Sequence, residues 1–124
     1  MLVPRAVCDE LLAFHHQLPD FVSLRGISGK IPMPGTEALG RGETEAITLA
    51  SEVSADLLLT DDRKARLVAE RLRLKCAGLL GLLIRGKSTG RIRSVKSMID
   101  TLQERGGLYL AEAVIAEALK LAGE

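Results

Sequence analysis

Aromatic residues are nearly absent from this sequence: its 124 residues include two Phe, one Tyr and no Trp. A protein that holds single-stranded nucleic acid by stacking bases on interleaved aromatic side chains is therefore not indicated. Hydrophobic residues still make up 47% of the chain, an ordinary share for a globular protein. The core is therefore expected to consist of Leu, Val, Ile and Ala, and the length favours a single domain over residues 1–124.

Cysteine and long apolar runs are also scarce. Cys8 and Cys76 lie far apart, which gives neither a disulfide framework nor the spacing of zinc ligands. We expect both in packed, apolar positions of a reduced protein. The longest apolar run, Leu79–Ile84, is far too short to span a bilayer, and Pro4 with the charges after it excludes a signal-peptide core near the start. These features predict a cytoplasmic protein that does not enter a membrane.

The net charge of +1 conceals a strong asymmetry. Between Arg63 and Lys96 there are eleven Lys or Arg residues and one acid, Glu70, whereas the rest of the chain holds six basic and fifteen acidic residues. A basic segment beside carboxylates suits an anionic polymer such as RNA, because the cations can hold phosphates. The alternative is that these residues form solvated helix faces rich in Arg.

Short strands alternate with helices along the chain, which predicts an α/β fold with a parallel sheet. Residues Arg25 to Gly42 contain five Gly and two Pro and are expected to form a loop. The strands are expected at Leu2–Val3, Phe21–Leu24, Asp56–Thr60 and Leu74–Ala77. The helices are expected from Pro4 to about Leu18 and at Glu43–Ser54, Arg63–Leu72, Leu79–Lys87, Val95–Glu104 and Leu110–Leu121.

Acidic residues occur where this fold usually places its ligands. Glu43 opens one helix, and Asp61 and Asp62 follow the buried strand around Leu57 to Leu59. Ligands of open α/β sheets bind just beyond the carboxyl ends of the strands. Carboxylates held together there repel each other unless a cation neutralises them. Oxygen ligands alone favour Mg²⁺ or Mn²⁺ over zinc, so the pattern indicates a site for one of these two ions.

Helix geometry separates Glu43 from Glu45. At about 100° per residue, the apolar stripe of this helix lies roughly 50° from Glu43 and about 110° from Glu45. We therefore expect Glu43 to be aimed over the sheet and Glu45 to face solvent, with contact to the residues that hold the ion as the alternative for Glu45. A plain alternative for Glu43 is the helix macrodipole, which favours acids at helix N-termini whether or not a metal is present.

Three further acids have alternative roles of the same kind. Glu10 follows Val7 by three residues, so its aliphatic stem is expected to be partly buried. Alternation along the strand sends Asp61 and Asp62 to different sides, so one can point into the crevice while the other caps the next helix. Any two of these acids could be structural, whereas three that converge would indicate a metal.

The sequence resembles PIN-like domains over nearly its whole length except Arg25–Arg41. The likeness is closest to a small prokaryotic subgroup of unknown function that is thought to bind nucleic acid. It rests on the segments Val3–Leu11, Gly42–Ala50 and Ala55–Lys64. It rests also on a tail that runs from Gly78 through Lys87, Gly90, Ile92 and Val95 to the closing Leu-Ala-Gly-Glu.

This resemblance implies a PIN-like three-layer α/β fold with a small parallel sheet and a Mg²⁺- or Mn²⁺-dependent ribonuclease, as many toxins of toxin–antitoxin pairs are. Glu10 would be the carboxylate on the first helix, Glu43 the central one, and Asp62 or Asp61 the one at the strand end. The carboxylates would position the ion and the attacking water. Arg63, Lys64, Arg66 and Lys87 would hold the RNA backbone, and an antitoxin-like protein would be the partner.

The chain departs from the family at its start, where the family has a strand ending in Asp and then a helix. Either the recorded start is too late, or the chain is an amino-terminally truncated relative. The missing Asp is a metal ligand in the family, and its absence puts catalysis in doubt. The missing strand is central to the sheet, so open edges are expected beside Leu57–Leu59, with strand exchange or a homo-oligomer as the result. Two alternatives to the nuclease remain: a non-catalytic module that binds nucleic acid or protein, and a shortened relative that persists as a dimer.

Overall fold

The structure, a computed structural model, describes residues 1–29 and 36–124. The described residues form an α/β protein in which four two-residue strands alternate with six helices and one short 3₁₀ turn at Thr36–Ala38. The strands are β1 (Leu2–Val3), β2 (Ser23–Leu24), β3 (Leu58–Leu59) and β4 (Cys76–Ala77). The helices are α1 (Arg5–Phe14), α2 (Arg41–Glu52), α3 (Arg63–Arg71), α4 (Leu79–Ser88), α5 (Val95–Arg105) and α6 (Glu112–Leu121).

The strands pair in parallel, as the alternation of strands and helices predicts. They form two separate sheets of two strands each, β1 with β2 and β3 with β4. Leu2 lies opposite Ser23 in the first sheet, and Leu58 lies opposite Cys76 in the second. The α/β class with parallel strands is therefore confirmed, and the parallel strands are divided between two sheets.

The chain divides into two compact units, Met1–Ala77 and Gly78–Glu124. In the first unit α2 and α3 each bury small and aliphatic side chains at helical spacing, and these pack around Leu58 of β3. The buried residues of that core are Ile47, Ala50, Leu58, Ala65, Val68 and Ala69. In the second unit Leu83, Val95 and Ile99 form a separate core. Both cores lack aromatic rings, as the composition predicts.

The same helix-ending turn precedes both strands of the second sheet. Ser54 and Arg73 have left-handed backbones, with φ of 50° and 61°. In each turn the next residue donates its backbone N–H to a carbonyl five residues back: Ala55 to Ala50 at 2.9 Å and Leu74 to Ala69 at 2.9 Å. This is the Schellman pattern, which usually has Gly at the left-handed position. Because both helices end with the same turn, β3 and β4 leave their helices in equivalent ways.

The first helix is shorter than the apolar spacing predicts. It ends at Phe14, whereas the sequence predicted that it would run to about Leu18. His15 already has an extended backbone, with φ of −130° and ψ of 141°. The apolar spacing of this helix also predicts that Phe14 is buried, but Phe14 is 87% exposed, because α1 buries Ala6 and Cys8 near its beginning instead. The other helix and strand bounds differ by a few residues from those expected. Residues 30–35 of the predicted loop lie outside the described residues.

Neither cysteine is disulfide-bonded. Cys8 is buried and Cys76 half-buried, and both are free thiols. Burial raises the pKa of the Cys76 thiol, with a smaller opposing effect of Arg66 and a small additional rise from Glu70. A thiol with a raised pKa is a poor nucleophile at neutral pH, so Cys76 is a packing residue. In the parts of the chain that are described, no helix is long and apolar enough to cross a membrane.

Candidate acidic site and basic helix

The predicted acidic residues of the first unit lie at or near the N-termini of its three helices. Backbone N–H groups are unpaired at a helix N-terminus and the macrodipole is positive there, so carboxylates are favoured. Glu43 lies in the first turn of α2, and Asp62 is the N-cap of α3. Glu45 bonds to the beginning of α1. The structure thus places three of these acids at helix ends, where Asp62 and Glu45 each accept a backbone N–H group.

Glu43 occupies the third position of α2, after the N-cap Gly40. Its carboxylate folds back against Gly40, in the space that a side chain on Gly40 would occupy. A Glu at this position commonly reaches back toward the N-cap residue. Glu43 is half-buried, and its orientation is fully consistent with helix capping.

Glu10 lies on α1 and is exposed, yet its carboxylate contacts α2. A Cβ atom on Gly42 would lie only 2.7 Å from Glu10 Oε1, so the carboxylate rests directly against the backbone of that residue. Gly42 precedes Glu43 in the first turn of α2. The structure therefore places the carboxylates of Glu10 and Glu43 at the same end of the same helix.

Glu45 does not face solvent, and this expectation was wrong. Its side chain is only 12% exposed. Glu45 Oε1 accepts a hydrogen bond from the backbone N–H of Ala6 at 3.1 Å, and Oε2 accepts one from Arg41 Nε at 2.9 Å. The N-cap of α1 is Pro4, which supplies no capping side chain, so Glu45 provides the acceptor that α1 lacks. The orientation of the apolar stripe could not reveal this partner because it lies on another helix.

Asp62 caps α3: its Oδ1 accepts a hydrogen bond from the backbone N–H of Lys64 at 3.1 Å. The backbone N–H of Asp62 itself donates to Thr60 Oγ1 at 3.2 Å. Asp61 is exposed, whereas Asp62 is half-buried. The two neighbours thus differ as the alternation of the strand predicts, with one of them taking the capping role.

The acids have the oxygen ligands that a hard divalent cation prefers, but too few of them lie together. Within residues 1–29 and 36–124, no group of three or more His, Cys, Asp or Glu side chains is arranged to hold a metal ion. Glu10 and Glu43 share the end of α2 but have no third carboxylate with them in such a group. The donor set is therefore incomplete for a metal site, and no reaction step through a cation follows from it.

The predicted RNA-binding residues fall into two classes. Arg63 and Lys64 are exposed on the first turn of α3, and Arg66 on the same helix is half-buried. None of these three makes an ion pair with another described residue. Lys87, by contrast, pairs with Glu124, since its Nζ lies 3.0 Å from Glu124 Oε2. The charge of Lys87 is thus already engaged within the second unit.

Glu124 is the structurally important residue that the sequence interpretation missed. Its Oε2 accepts the backbone N–H of Val95 at 2.8 Å, and its Oε1 accepts the hydroxyl of Ser94 at 2.9 Å. These bonds satisfy the N-terminus of α5. The hydrogen bond from Val95 and that from Lys87 lower the pKa of the Glu124 carboxyl from its usual value near 4.5 to about 2.

Three positions that carry the family likeness in the tail contact one another: Glu124 binds both Lys87 and Val95. Gly123 has φ of 75°, a conformation that favours Gly. It turns the chain so that the backbone N–H of Glu124 bonds to the Leu119 carbonyl at 2.7 Å. The closing Leu-Ala-Gly-Glu therefore returns to Lys87 and Val95. Because its Gly-Glu pair follows a helix, this sequence signal could have indicated that the end of the chain turns back and contacts the residues before it.

Comparison with protein families gives one match. A family model described as DUF3368, a PIN domain, matches residues 1–124. Neither a curated protein nor a solved structure matches the chain. PIN domains are generally dependent on divalent metal ions, so the incomplete donor set described above bears directly on what this chain can do.

Proposed function

The chain belongs to the PIN domain family, and we propose that it acts on RNA, which it binds through the basic face of α3. This face consists of Arg63, Lys64 and Arg66, with Arg71 at the other end of the helix. The observation that carries the proposal is the placement of Arg63 and Lys64 in the first turn of α3, where their charge opposes the helix dipole.

Helix stability does not explain these two cations. A cation near a helix N-terminus is unfavourable by about 0.3–1 kcal/mol at an exposed position. Arg63 and Lys64 are nevertheless both there, exposed and without an ion-pair partner among the described residues. Such residues suit a ligand that brings its own negative charge. A phosphate backbone does so at regular intervals, and Arg and Lys are the side chains that usually contact it.

The test is the salt dependence of RNA binding. Each phosphate contact to a single strand contributes a slope of about −0.7 in the logarithm of affinity against the logarithm of salt concentration. We expect Arg63→Gln and Lys64→Gln each to weaken binding of a fluorescein-labelled single-stranded RNA. Each is also expected to reduce the magnitude of the slope by about 0.7, the contribution of one phosphate contact. Lys120→Gln, which removes an exposed cation from α6, is the matched control. If all three variants bind equally, α3 does not bind the RNA.

A second candidate is metal-dependent hydrolysis of RNA, the reaction expected of a PIN ribonuclease. The observation in its favour is that Glu10 and Glu43 share the N-terminal end of α2, Glu10 against Gly42 and Glu43 against Gly40. A bound Mg²⁺ or Mn²⁺ ion would supply an activated water and stabilise the charge that develops on phosphate. The capping role of Asp62, whose Oδ1 accepts the Lys64 N–H, favours the binding function over this one.

Calorimetric titration of Mn²⁺ separates the two candidates. Under the hydrolysis proposal, Mn²⁺ binds in the micromolar range, binding is lost in Glu10→Gln and Glu43→Ala, and RNA is cleaved only when the ion is present. Under the binding proposal, RNA affinity is the same with Glu43→Ala and with chelator. A role as the toxin-like half of a toxin–antitoxin pair belongs to the hydrolysis proposal alone. It predicts growth arrest on expression of the chain, relieved by Glu43→Ala.

A further inference from the structure

A second group of cations lies in the second unit, around the turn that joins α4 to α5 (residues 89–94). From Gly78 to Ile99 the sequence has five Lys or Arg residues and no acid. Two of the five pair with an acid outside this segment, Lys87 at 3.0 Å and Lys96 at 2.9 Å. The other three are exposed and make no ion pair with another described residue: Arg85, Arg91 and Arg93.

The turn is fixed by hydrogen bonds to the end of α4. The Arg85 carbonyl accepts the hydroxyl of Thr89 at 2.9 Å. Gly90 then has φ of 74°, a left-handed conformation that favours Gly, and the backbone N–H of Arg91 donates to the Gly86 carbonyl at 2.8 Å. The chain thus returns to α4, and the backbone of Arg91 lies against the helical turn that bears Arg85.

Side chains along the rest of the turn alternate between the inside and the outside of the unit. Ile92 packs against the core of the second unit. Ser94 caps α5 by accepting the backbone N–H of Ser97 at 3.1 Å. Arg91 and Arg93 occupy the alternate positions and are exposed. Packing and capping therefore come from Ile92 and Ser94, and neither involves an arginine side chain.

Helix stability does not explain the cations of the turn. Arg93 directly precedes Ser94, the N-cap of α5, and a cation near a helix N-terminus is unfavourable. Arg85 lies in the last turn of α4, where the helix dipole favours a cation, so it has a local role that the other two lack. The charges of Arg91 and Arg93 thus serve neither pairing nor packing nor helix stability.

We propose that Arg91 and Arg93, with Arg85 beside them, form a second surface that binds RNA phosphates, separate from the basic face of α3. The proposal rests on the proposed function, since it takes RNA as the ligand of the chain. The paired cations of this segment are both Lys, whereas the three without a partner are all Arg. Arg presents its donors in a planar fork that matches two oxygens of one phosphate.

The repetition of this feature on both units favours RNA over an acidic protein. Each unit exposes cations that oppose a helix dipole and have no ion-pair partner among the described residues. A polymer that carries the same charge at every step suits two such surfaces on one chain. A strand long enough to reach both surfaces gains affinity because the second contact is made within one complex.

The test measures how salt affects binding of a fluorescein-labelled oligouridine of about 30 nucleotides, longer than the roughly 4–16 that one single-strand-binding domain covers. Combining Arg91→Gln with Arg93→Gln is expected to weaken binding about tenfold. It is also expected to reduce the magnitude of the salt slope by about 1.4, the contribution of two phosphate contacts. The matched control combines Arg105→Gln with Lys120→Gln. It removes two exposed cations from the same unit and is expected to change neither quantity.

A short strand tests whether the second surface binds by itself. The full chain is titrated with an oligouridine of about five nucleotides, and the backbone amide signals are followed by NMR. The signals of Arg91 and Arg93 are expected to shift. They are expected to shift equally in a chain that carries Arg63→Gln and Lys64→Gln, because the second surface does not depend on α3.

The outcomes separate this proposal from the proposed function. If the α3 variants weaken binding of the long strand and the turn variants do not, the second surface is overturned and the proposed function stands. If the turn variants alone weaken binding, the second surface is supported and the basic face of α3 is not. If neither set changes binding, both are overturned. The second surface is also overturned if polyglutamate binds as tightly as the oligouridine and is weakened equally by the turn variants, because an acidic protein is then the ligand.

Discussion

The carboxylate of Glu45, on α2, accepts the backbone N–H of Ala6 at the beginning of α1, 39 residues earlier in the sequence. The first turn of α1 has no capping side chain of its own, because its N-cap is Pro4. An acid on the neighbouring helix thus performs the task that Ser or Asp performs in most helices. The contact also fixes α1 to α2, the two helices that carry Glu10 and Glu43.

Removing this contact is expected to destabilise the protein without changing its affinity for ligands. Glu45→Ala is predicted to lower the free energy of unfolding by about 1 kcal/mol, the usual cost of a lost helix cap. Glu45→Gln keeps an acceptor oxygen and is expected to lose less. Urea denaturation of the two variants measures the difference. A change in RNA affinity in either variant at equal folded fraction would contradict a purely structural role.

Replacing Gly42 by Ala is expected to move the Glu10 carboxylate while leaving α2 intact. The new Cβ would lie 2.7 Å from Glu10 Oε1, so the carboxylate, the mobile end of an exposed side chain, has to move away. Ala is favoured over Gly in a helix by up to about 1 kcal/mol, so thermal stability is expected to stay equal or rise.

If Glu10 and Glu43 together hold a cation, Gly42→Ala weakens Mn²⁺ binding by about tenfold, or ~1.4 kcal/mol, although both carboxylates remain. Calorimetry gives the affinity and thermal denaturation the stability. Gly26→Ala is the control, because a Cβ at Gly26 meets nothing within 4 Å. Equal Mn²⁺ affinity in the two variants would show that Glu10 is not a ligand of the cation.

The role of Asp62 can be tested by comparing two substitutions. Asp62→Asn retains the oxygen that accepts the Lys64 N–H and is expected to unfold at nearly the same urea concentration as the unmodified chain. Asp62→Ala removes the cap of α3 and is expected to cost about 1 kcal/mol. Because we assign Asp62 to capping, Mn²⁺ binding and RNA affinity should be unchanged in the Asn variant. Loss of Mn²⁺ binding with retained stability would instead identify Asp62 as a ligand.

The lowered pKa of Glu124 predicts how stability depends on pH. Its folded-state pKa is about 2, below the usual 4.5, so the folded state binds the proton less readily than the unfolded state does. The stabilisation from Glu124 is therefore complete above about pH 4.5 and is lost as the pH falls toward 2. We expect Glu124→Gln to lower the melting temperature at pH 6 and to make little difference near pH 2.

The matched control for Glu124 is Glu117→Gln, which neutralises an exposed carboxylate on α6. It is expected to leave the difference between pH 6 and pH 2 unchanged. Titration of the Glu124 side chain by carbon-detected NMR measures the pKa directly. A value near 4.5 would show that the contacts with Val95 and Lys87 do not persist in solution.

The sequence predicted local features of the fold well and long-range partners poorly. The parallel pairing of β3 and β4 and the beginning of α3 at Arg63 follow from hydrophobic runs and from Asp62, which act within a few residues. The partner of Glu45 depends on how α1 packs against α2. Periodicity within one helix carries no information about its neighbour.

The same limit explains which parts of the site could be predicted. The sequence and the family likeness suggested that Glu10, Glu43 and Asp62 or Asp61 converge, and the structure brings the first two to the N-terminal end of α2. That Asp62 is held by its own helix was foreseen only as an alternative. The family likeness implied that Lys87 would bind RNA. Its pairing with Glu124, 37 positions later in the sequence, is a matter of tertiary structure.

The contact between Glu124 and α5 also affects the order in which the two units can form during synthesis. All residues of the first unit have been made by Ala77, whereas α5, which Ser94 caps locally, gains the Glu124 acceptor only when a residue 29 positions beyond Val95 has been added. At about 5–20 residues per second, that is a delay of roughly 1.5–6 s. The first unit can therefore become ordered on the ribosome before α5 gains this second acceptor.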